Sequence, residues 1–209
     1  MTVTSLISND AQLFLQELGR ARSQQLNRLI SLGNERWVVS GIDGLYRHYK
    51  EITEPGSRSA STGLRIQALE ANDSRLTGIQ QSGRPLDELL WNCAFQLSDG
   101  KLLPGCRRDD VIRLQRWPNF SRLTRTPNSL KITALLTSRA TSLVLASRIL
   151  HISEDELYQF CSAAHYAGYS TAVNRADVVQ LADHNSSPRF TIVQKLLKQL
   201  KLRPQAISA

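Results

Sequence analysis

The stretch Thr141–Ser170 constrains the fold of this chain most, because it predicts two consecutive helices joined by a short turn. Thr141 is a suitable N-cap for the first helix, and Ser153 begins the second as a capping box with Glu156. Apolar residues recur at helical spacing in both segments, at Leu143, Ala146, Leu150, Leu157, Phe160, Cys161 and Ala164. Gly168 stands where a left-handed C-cap would end the second helix. The pattern therefore predicts two helices that pack through facing apolar stripes.

This helix, turn and helix resembles the helix-turn-helix of bacterial winged-helix domains. A further helix over 128–136, capped by one of its first two residues, would be the first of a three-helical core. After the pair, Tyr169–Val173 and Val178–Leu181 are candidates for the two strands of a wing. A helix capped by Asn174 fits the same region equally well. A last amphipathic helix with a basic side is predicted to begin at Ser187–Pro188.

Residues 1–105 predict a mixture of helices and short strands. Leucine and isoleucine recur through 8–32, after several N-cap residues and before Gly33, so this range predicts one helix. A strand is predicted at Trp37–Val39. The apolar residues within 45–49 fit a short strand or a helix, and periodicity does not separate the two.

The region that follows predicts a hairpin and then a helix. A polar loop at 54–63 leads into alternating residues at 64–68, a turn at Asn72–Asp73 and apolar residues within 76–79, which together predict two paired strands. A helix is predicted over 84–97, because a proline stands near its first position and two acids lie in its first turn.

Charge divides the chain into two parts. Residues 1–105 carry 11 basic and 11 acidic side chains, whereas 106–209 carry 15 and 7, so the second part holds the whole formal net charge of +8. Pro104–Gly105 predicts a turn at this boundary. We therefore expect an α+β protein, with a small N-terminal α/β module of a few antiparallel strands over 1–105. The basic, mostly helical, winged-helix-like module would occupy 106–209 and face an anionic partner.

The candidate binding site is the arginine segment, which we define as residues 107–125. Its candidate site residues are Arg107, Arg108, Arg113, Arg116, Trp117, Phe120, Arg122 and Arg125. Guanidinium groups bind phosphates, and guanidinium or aromatic groups can stack on bases. The segment therefore predicts a surface for a nucleotide, RNA or a phosphorylated partner. Alternatively, its arginines are solvated or paired with Asp109 and Asp110, and Trp117 belongs to the core.

A helix-turn-helix suggests DNA binding, but the second helix begins with Glu154, Asp155 and Glu156. Carboxylates at this end would face phosphates, and like charge lowers affinity there. Only His165 within that helix can carry a positive charge. DNA contacts would therefore have to come from Arg113–Lys131 and the C-terminal helix. Otherwise the helix-turn-helix serves as a protein-docking scaffold.

The sequence carries no recognised catalytic or metal-binding motif. The three cysteines and four histidines are scattered. Cys161 and His165 have metal-compatible helical spacing, but no further ligand completes a tetrahedral site and Cys161 belongs to the apolar stripe. Phosphate-loop, dinucleotide and nucleophile-elbow patterns are absent. An enzyme, a cofactor and a resident metal are therefore not expected.

Composition and length predict where such a chain works. Hydrophobic residues make up 41% and charged residues 21%, which is typical of a soluble globular protein. No apolar run approaches the ~18 residues of a membrane span, and the N-terminus lacks the pattern of a signal peptide. An odd number of cysteines without paired spacing indicates a reducing compartment, so a bacterial-type cytoplasmic protein is expected.

These observations predict a non-enzymatic regulatory or signalling adaptor. It would bind a protein partner or an anionic nucleotide ligand through the arginine segment, with the helix-turn-helix as scaffold. The alternative is a DNA-binding transcriptional regulator of winged-helix type. The C-terminal helix could dock on the second module or form a homodimer contact.

Overall fold

A computed structural model describes residues 8–51 and 63–175, and within these ranges the chain forms six helices and eight short strands. The helices are α1 (Ser8–Ser23), α2 (Ser74–Ser82), α3 (Leu86–Ser98), α4 (Ser129–Ser138), α5 (Leu143–Leu150) and α6 (Glu154–Tyr166). The strands are β1 (Asn27–Leu32), β2 (Glu35–Ser40), β3 (Leu45–Lys50), β4 (Leu64–Ala68), β5 (Arg84–Pro85), β6 (Val111–Leu114), β7 (Thr141–Ser142) and β8 (Ser170–Ala172). Helices beside antiparallel sheets confirm the expected α+β class.

The first five strands form one antiparallel sheet in the order β4-β1-β2-β3-β5. Because side chains alternate between the faces of a strand, each strand supplies two apolar clusters. Ile30 and Val39 join the large core that contains α1, whereas Leu29 and Val38 pack with Leu76 of α2. Apolar helix residues therefore pack on part of each face of the sheet.

The prediction of a single helix over 8–32 is correct only as far as Ser23. Gln25 adopts the left-handed region with φ 53°, and the chain then continues as β1. β1 pairs with β2 on one side and β4 on the other, so its backbone groups are satisfied by neighbouring strands. Leucine and isoleucine suit a helix and a strand alike, and here tertiary pairing decides.

The predicted hairpin is also half right. Residues 64–68 form β4, but the second strand is replaced by α2, whose N-cap Asp73 accepts a hydrogen bond from the Arg75 backbone N–H at 2.9 Å. Residues 45–49, whose pattern fits either a short strand or a helix, lie in strand β3. The polar loop predicted at 54–63 lies outside the described residues except for its last glycine.

The predicted pair of helices is confirmed as α5 and α6, with different capping. Ser142, not Thr141, caps α5: the helix begins at Leu143, and the Ser142 side chain accepts from the Leu145 backbone N–H at 3.3 Å. Ser153 accepts the Glu156 backbone N–H at 3.3 Å, as the capping box predicts. The Glu156 carboxylate does not return to Ser153 but accepts both the backbone and the side-chain N–H groups of Asn128, each at 2.9 Å. Glu156 thus joins α6 to the start of α4.

Strand pairing after α6 matches the first half of the predicted wing. Gly168 has φ 68°, as its C-capping position requires, and β8 then pairs with β6. The second wing strand at Val178–Leu181 and the C-terminal helix lie outside the described residues. The winged-helix resemblance itself therefore stays a prediction.

Helices α3 and α6 lie at the centre of the main core. Trp91 of α3 is fully buried, with Phe160 and Tyr169 edge-on to its ring at 5.4 and 5.6 Å between centroids. All described residues belong to one compact unit. The main core therefore continues across the boundary that the sequence predicts at residue 105.

Candidate functional site

The second part of the arginine segment is an irregular loop that is fastened along α3. The Trp91 indole N–H donates to the Thr124 carbonyl at 2.8 Å, which is a hydrogen bond from the centre of the core. The Asn92 side-chain oxygen accepts from both the backbone N–H and the hydroxyl of Thr124, at 2.8 and 2.9 Å. These bonds fix the path of a loop that has no regular secondary structure of its own.

Arg116 is held by an acid and an aromatic ring. Its guanidinium donates to Asp87 in the first turn of α3 at 2.8 Å and lies 4.2 Å from the centroid of the Tyr169 ring. The Tyr169 hydroxyl also donates to Asp87, at 3.0 Å. Burial, together with the negative charge of Asp87, raises the pKa of Tyr169 to about 12, so the phenol remains protonated and available as the donor.

Arg122 is also paired with an acid of α3. Glu88 is only 8% exposed at its side chain and accepts from Arg122 at 3.2 Å and from Arg84 at 2.8 Å. Buried carboxylates need such partners, because removing one would leave an uncompensated charge in the core. Arg84 and the two acids were absent from the predicted site. Asp87 and Glu88 are visible in the sequence only as acids in the first turn of a helix.

Arg108 pairs with the start of α6. Its guanidinium donates to both carboxylate oxygens of Glu154 at 3.0 Å, and the Tyr158 hydroxyl donates to the same carboxylate at 2.6 Å. Hydrogen bonds from Tyr158 and Arg108 lower the pKa of Glu154. Arg108 therefore neutralises one of the carboxylates that the sequence places at the tip of this helix.

The remaining cations of the segment are available at the surface. Arg107, Arg113 and Arg125 are exposed, and their guanidinium groups form no hydrogen bond or ion pair within the ranges the structure covers. Arg113 lies on β6 between two buried residues and opposite Thr171 of β8, so it points to the outer face of this small sheet. Trp117 is 54% exposed, which excludes the alternative that it belongs to the core.

Phe120 belongs to the support of the site and not to its surface. Its ring is half-buried against the core and lies edge-on to Trp91, with 6.1 Å between centroids. The eight predicted residues therefore divide into two groups. Arg108, Arg116, Phe120 and Arg122 hold the segment in place, whereas Arg107, Arg113, Trp117 and Arg125 remain open to a partner.

Helix α6 is unlike an exposed recognition helix. Five consecutive residues, 160–164, are buried, so the helix is enclosed around its whole circumference in this part. At its start, Asp155 lies close to Gly100, whose Cβ position would be 3.0 Å from the aspartate side chain. The buried run therefore occupies the C-terminal half of α6, whereas its acidic start, the end that would enter a groove, is exposed at Asp155.

The cysteine and histidine residues do not form a reactive or metal-binding cluster in the described parts of the chain. No group of three or more potential ligands among His, Cys, Asp and Glu comes together there. Burial raises the pKa of Cys93 to about 12 and that of Cys106 to about 11, and it also raises the pKa of Cys161. These thiols are therefore protonated near neutral pH, and protonated thiols are poor nucleophiles.

Comparison with models of known protein families, with curated proteins and with solved structures finds no match. Among the described residues, no helix combines the length and apolar character needed to cross a membrane. The function of the site is therefore inferred from its own chemistry.

Proposed function

We propose that this protein is a non-enzymatic regulatory or signalling adaptor that binds an anionic partner through Arg107, Arg113, Trp117 and Arg125. The observation that carries the proposal is the contrast within the arginine segment. Its other arginines are each paired with an acid, whereas these three guanidinium groups are exposed and unpaired in the described structure. Guanidinium groups recognise phosphate and carboxylate oxygens through directed hydrogen bonds.

The fixed path of the segment supports binding with little loss of entropy. A loop that becomes ordered on binding loses conformational entropy, which weakens the binding. A loop that the core already holds in place loses less. Here Trp91, Asn92, Asp87 and Glu88 of α3 hold the backbone and its paired arginines. Trp117 adds a large exposed ring beside the cations in sequence, suited to stacking on a base or packing on a peptide.

The nucleotide form of the proposal is tested by a thermal-shift screen of the full chain against mononucleotides and cyclic dinucleotides. A ligand that binds only the folded state raises the melting temperature by mass action. We expect Arg113→Glu with Arg125→Glu to abolish the shift. Arg139→Glu with Arg148→Glu is the matched control, because both residues are exposed and the change in net charge is identical.

The protein-partner form is tested with an array of phosphorylated and acidic peptides and the same two double variants. Selective loss of peptide binding in the Arg113 and Arg125 variant supports it. If neither nucleotides nor peptides bind the natural chain, or if both double variants behave alike, the arginine segment is not the site.

A DNA-binding regulator is the alternative. Its support is the exposure of Arg113 and Arg125, whereas the three acids in the first turn of α6 count against the usual mode of groove recognition. A gel shift with genomic fragments at low salt tests this alternative, since binding through phosphates weakens steeply as salt rises. A shift that depends on Arg113 and Arg125 would favour the regulator over the adaptor.

A further inference from the structure

The N-terminal sheet carries a second basic surface, although residues 1–105 have no excess of positive charge. The strand register pairs Arg65 with Ser31, Ser31 with Arg36 and Arg36 with Tyr49. Directly paired residues of an antiparallel ladder point to the same face, so these four side chains form one row across β4, β1, β2 and β3. Three strand spacings of about 4.8 Å make the row about 14 Å long.

Arg47 extends this row along β3. It precedes Tyr49 by two residues and therefore shares its face, beside the end of the apolar cluster that α2 covers. One of its guanidinium nitrogens lies 2.8 Å from the position that a Cβ of Gly78 would occupy. The glycine in α2 thus leaves room where the arginine crosses the helix. We call Arg65, Ser31, Arg36, Tyr49 and Arg47 the basic sheet face.

Two of the three arginines on this face have no acidic partner among the described residues. Arg47 and Arg65 are exposed and form no hydrogen bond or ion pair in the described parts of the chain. Arg36 is fixed in place by Glu51 at 2.5 Å and by the Gly33 carbonyl at 2.6 Å. Arg36 on β2 therefore lies between the two unpaired cations, Arg65 on β4 and Arg47 on β3.

The neighbouring acids do not cancel this charge. Glu51 is occupied by Arg36. Asp73, at the start of α2, is occupied by Arg75, which donates to its two oxygens at 2.8 and 2.7 Å. These two acids thus have arginine partners of their own, and no acid among the described residues forms an ion pair with Arg47 or Arg65.

We propose that the basic sheet face binds single-stranded nucleic acid. Tyr49 is 37% exposed and stands in the same row as the arginines, so a base can stack on its ring while phosphates reach the guanidinium groups. Every base has a stacking face, which makes such binding tolerant of sequence. The surface of a sheet can accommodate an extended single strand, whereas a duplex is read by elements that project into its grooves.

The proposal is tested by fluorescence anisotropy of the full chain with labelled oligo(U) and oligo(dT) of about 12 nucleotides, which is within the range that small single-strand-binding folds cover. We expect Arg47→Glu with Arg65→Glu to weaken binding at least tenfold, and Arg47→Gln with Arg65→Gln to lower the magnitude of the salt slope by about 1.4, since each phosphate contact on a single strand contributes about 0.7. Tyr49→Leu should weaken binding about tenfold without altering the salt slope. Unchanged circular dichroism and melting temperature show that each variant is folded.

Control variants separate this proposal from the one made for the arginine segment. Arg139→Glu with Arg148→Glu carries the same change in net charge as the Arg47 and Arg65 variant and should retain oligonucleotide binding, whereas selective loss in the Arg113→Glu with Arg125→Glu variant would place the oligonucleotide site on the arginine segment and overturn the proposal. The proposal is overturned if the natural chain does not bind at low salt, or if all charge reversals weaken binding equally. Equal binding of heparin or duplex DNA, with no effect of Tyr49→Leu, would identify a general polyanion surface and also overturn it.

Discussion

Replacing Trp91 with phenylalanine tests the centre of the fold. Trp91 joins the two parts that the sequence distinguishes, because it lies on α3 and donates to the Thr124 carbonyl in the arginine segment. Phe160, Tyr169 and Phe120 pack edge-on around its ring. Phenylalanine keeps an aromatic ring but removes the N–H donor and part of the buried volume.

The expected loss of stability follows from these contacts. The lost hydrogen bond costs about 1 kcal/mol, and a partly buried carbonyl without a donor adds about 1 kcal/mol. Complete truncation of a buried tryptophan to alanine costs about 3–5 kcal/mol, and the smaller loss of volume here accounts for a fraction of that. Trp91→Phe should therefore lower the free energy of unfolding by about 2–4 kcal/mol.

Urea denaturation followed by circular dichroism measures this loss. With a slope of about 2 kcal/mol per molar urea, the midpoint should fall by about 1–2 M. Trp117→Phe is the control: Trp117 is 54% exposed and its replacement should change stability by less than about 0.5 kcal/mol. Two results would contradict a core shared by the residues before and after 105. One is an equal loss of stability in the two variants, and the other is unfolding of the natural chain in two separate transitions.

Two further predictions concern backbone conformation and pH. Gly168→Ala should lower the free energy of unfolding by about 1 kcal/mol, because its φ of 68° is strained for alanine, whereas Gly19→Ala in an open position of α1 should raise it by up to about 1 kcal/mol. If urea denaturation showed that both alanine substitutions change the free energy of unfolding in the same direction, this reasoning would be wrong. Burial raises the pKa of Asp110, but the hydrogen bonds from Arg175 and from the Arg107 backbone N–H, together with the charges of both arginines, outweigh it and the net pKa is lowered. The ion pair therefore stabilises the fold at pH values above the unfolded-state pKa, and this stabilisation is lost as the pH falls. Asp110→Asn should lower the free energy of unfolding at pH 7, and the difference from the natural chain should become smaller below about pH 4. A difference that does not change with pH would contradict the pairing.

Helices with strong local signals could be predicted from the sequence. In α3 and α6, apolar residues at helical spacing, acids in the first turn and turn-forming residues at the C-terminus all agree. Ser153 and Gly168 take the capping roles expected of them. Such signals depend on residues within one or two turns, so they act before any distant contact is made.

Elements whose partners are distant could not be predicted in this way. β1 contains residues that suit a helix, and it becomes a strand because β2 and β4 satisfy its backbone on both sides. α2 replaces a predicted strand: Leu76 and Ile79 are three residues apart, so they reach the same apolar cluster in a helix but would point to opposite faces of a strand. Periodicity over such short stretches does not separate the two states, and the sheet beneath them decides.

For the same reason, only part of the candidate site could be predicted from the sequence. The sequence identified all the arginines of the segment but not the acids of α3 that pair with Arg116 and Arg122. These partners are 29 and 34 residues away along the chain. Sequence separation does not determine spatial distance, on which the strength of an ion pair depends.

The sequence by itself determined the α+β class, the helices α3 to α6, and the excess of positive charge after residue 105. The tertiary structure alone decided which of those charges remain open to a partner. It also brought Arg65, Arg36 and Arg47 onto one sheet face, from a part of the chain whose charges balance. The physical reason is that electrostatic potential depends on distance in space, and the pairing of strands sets that distance.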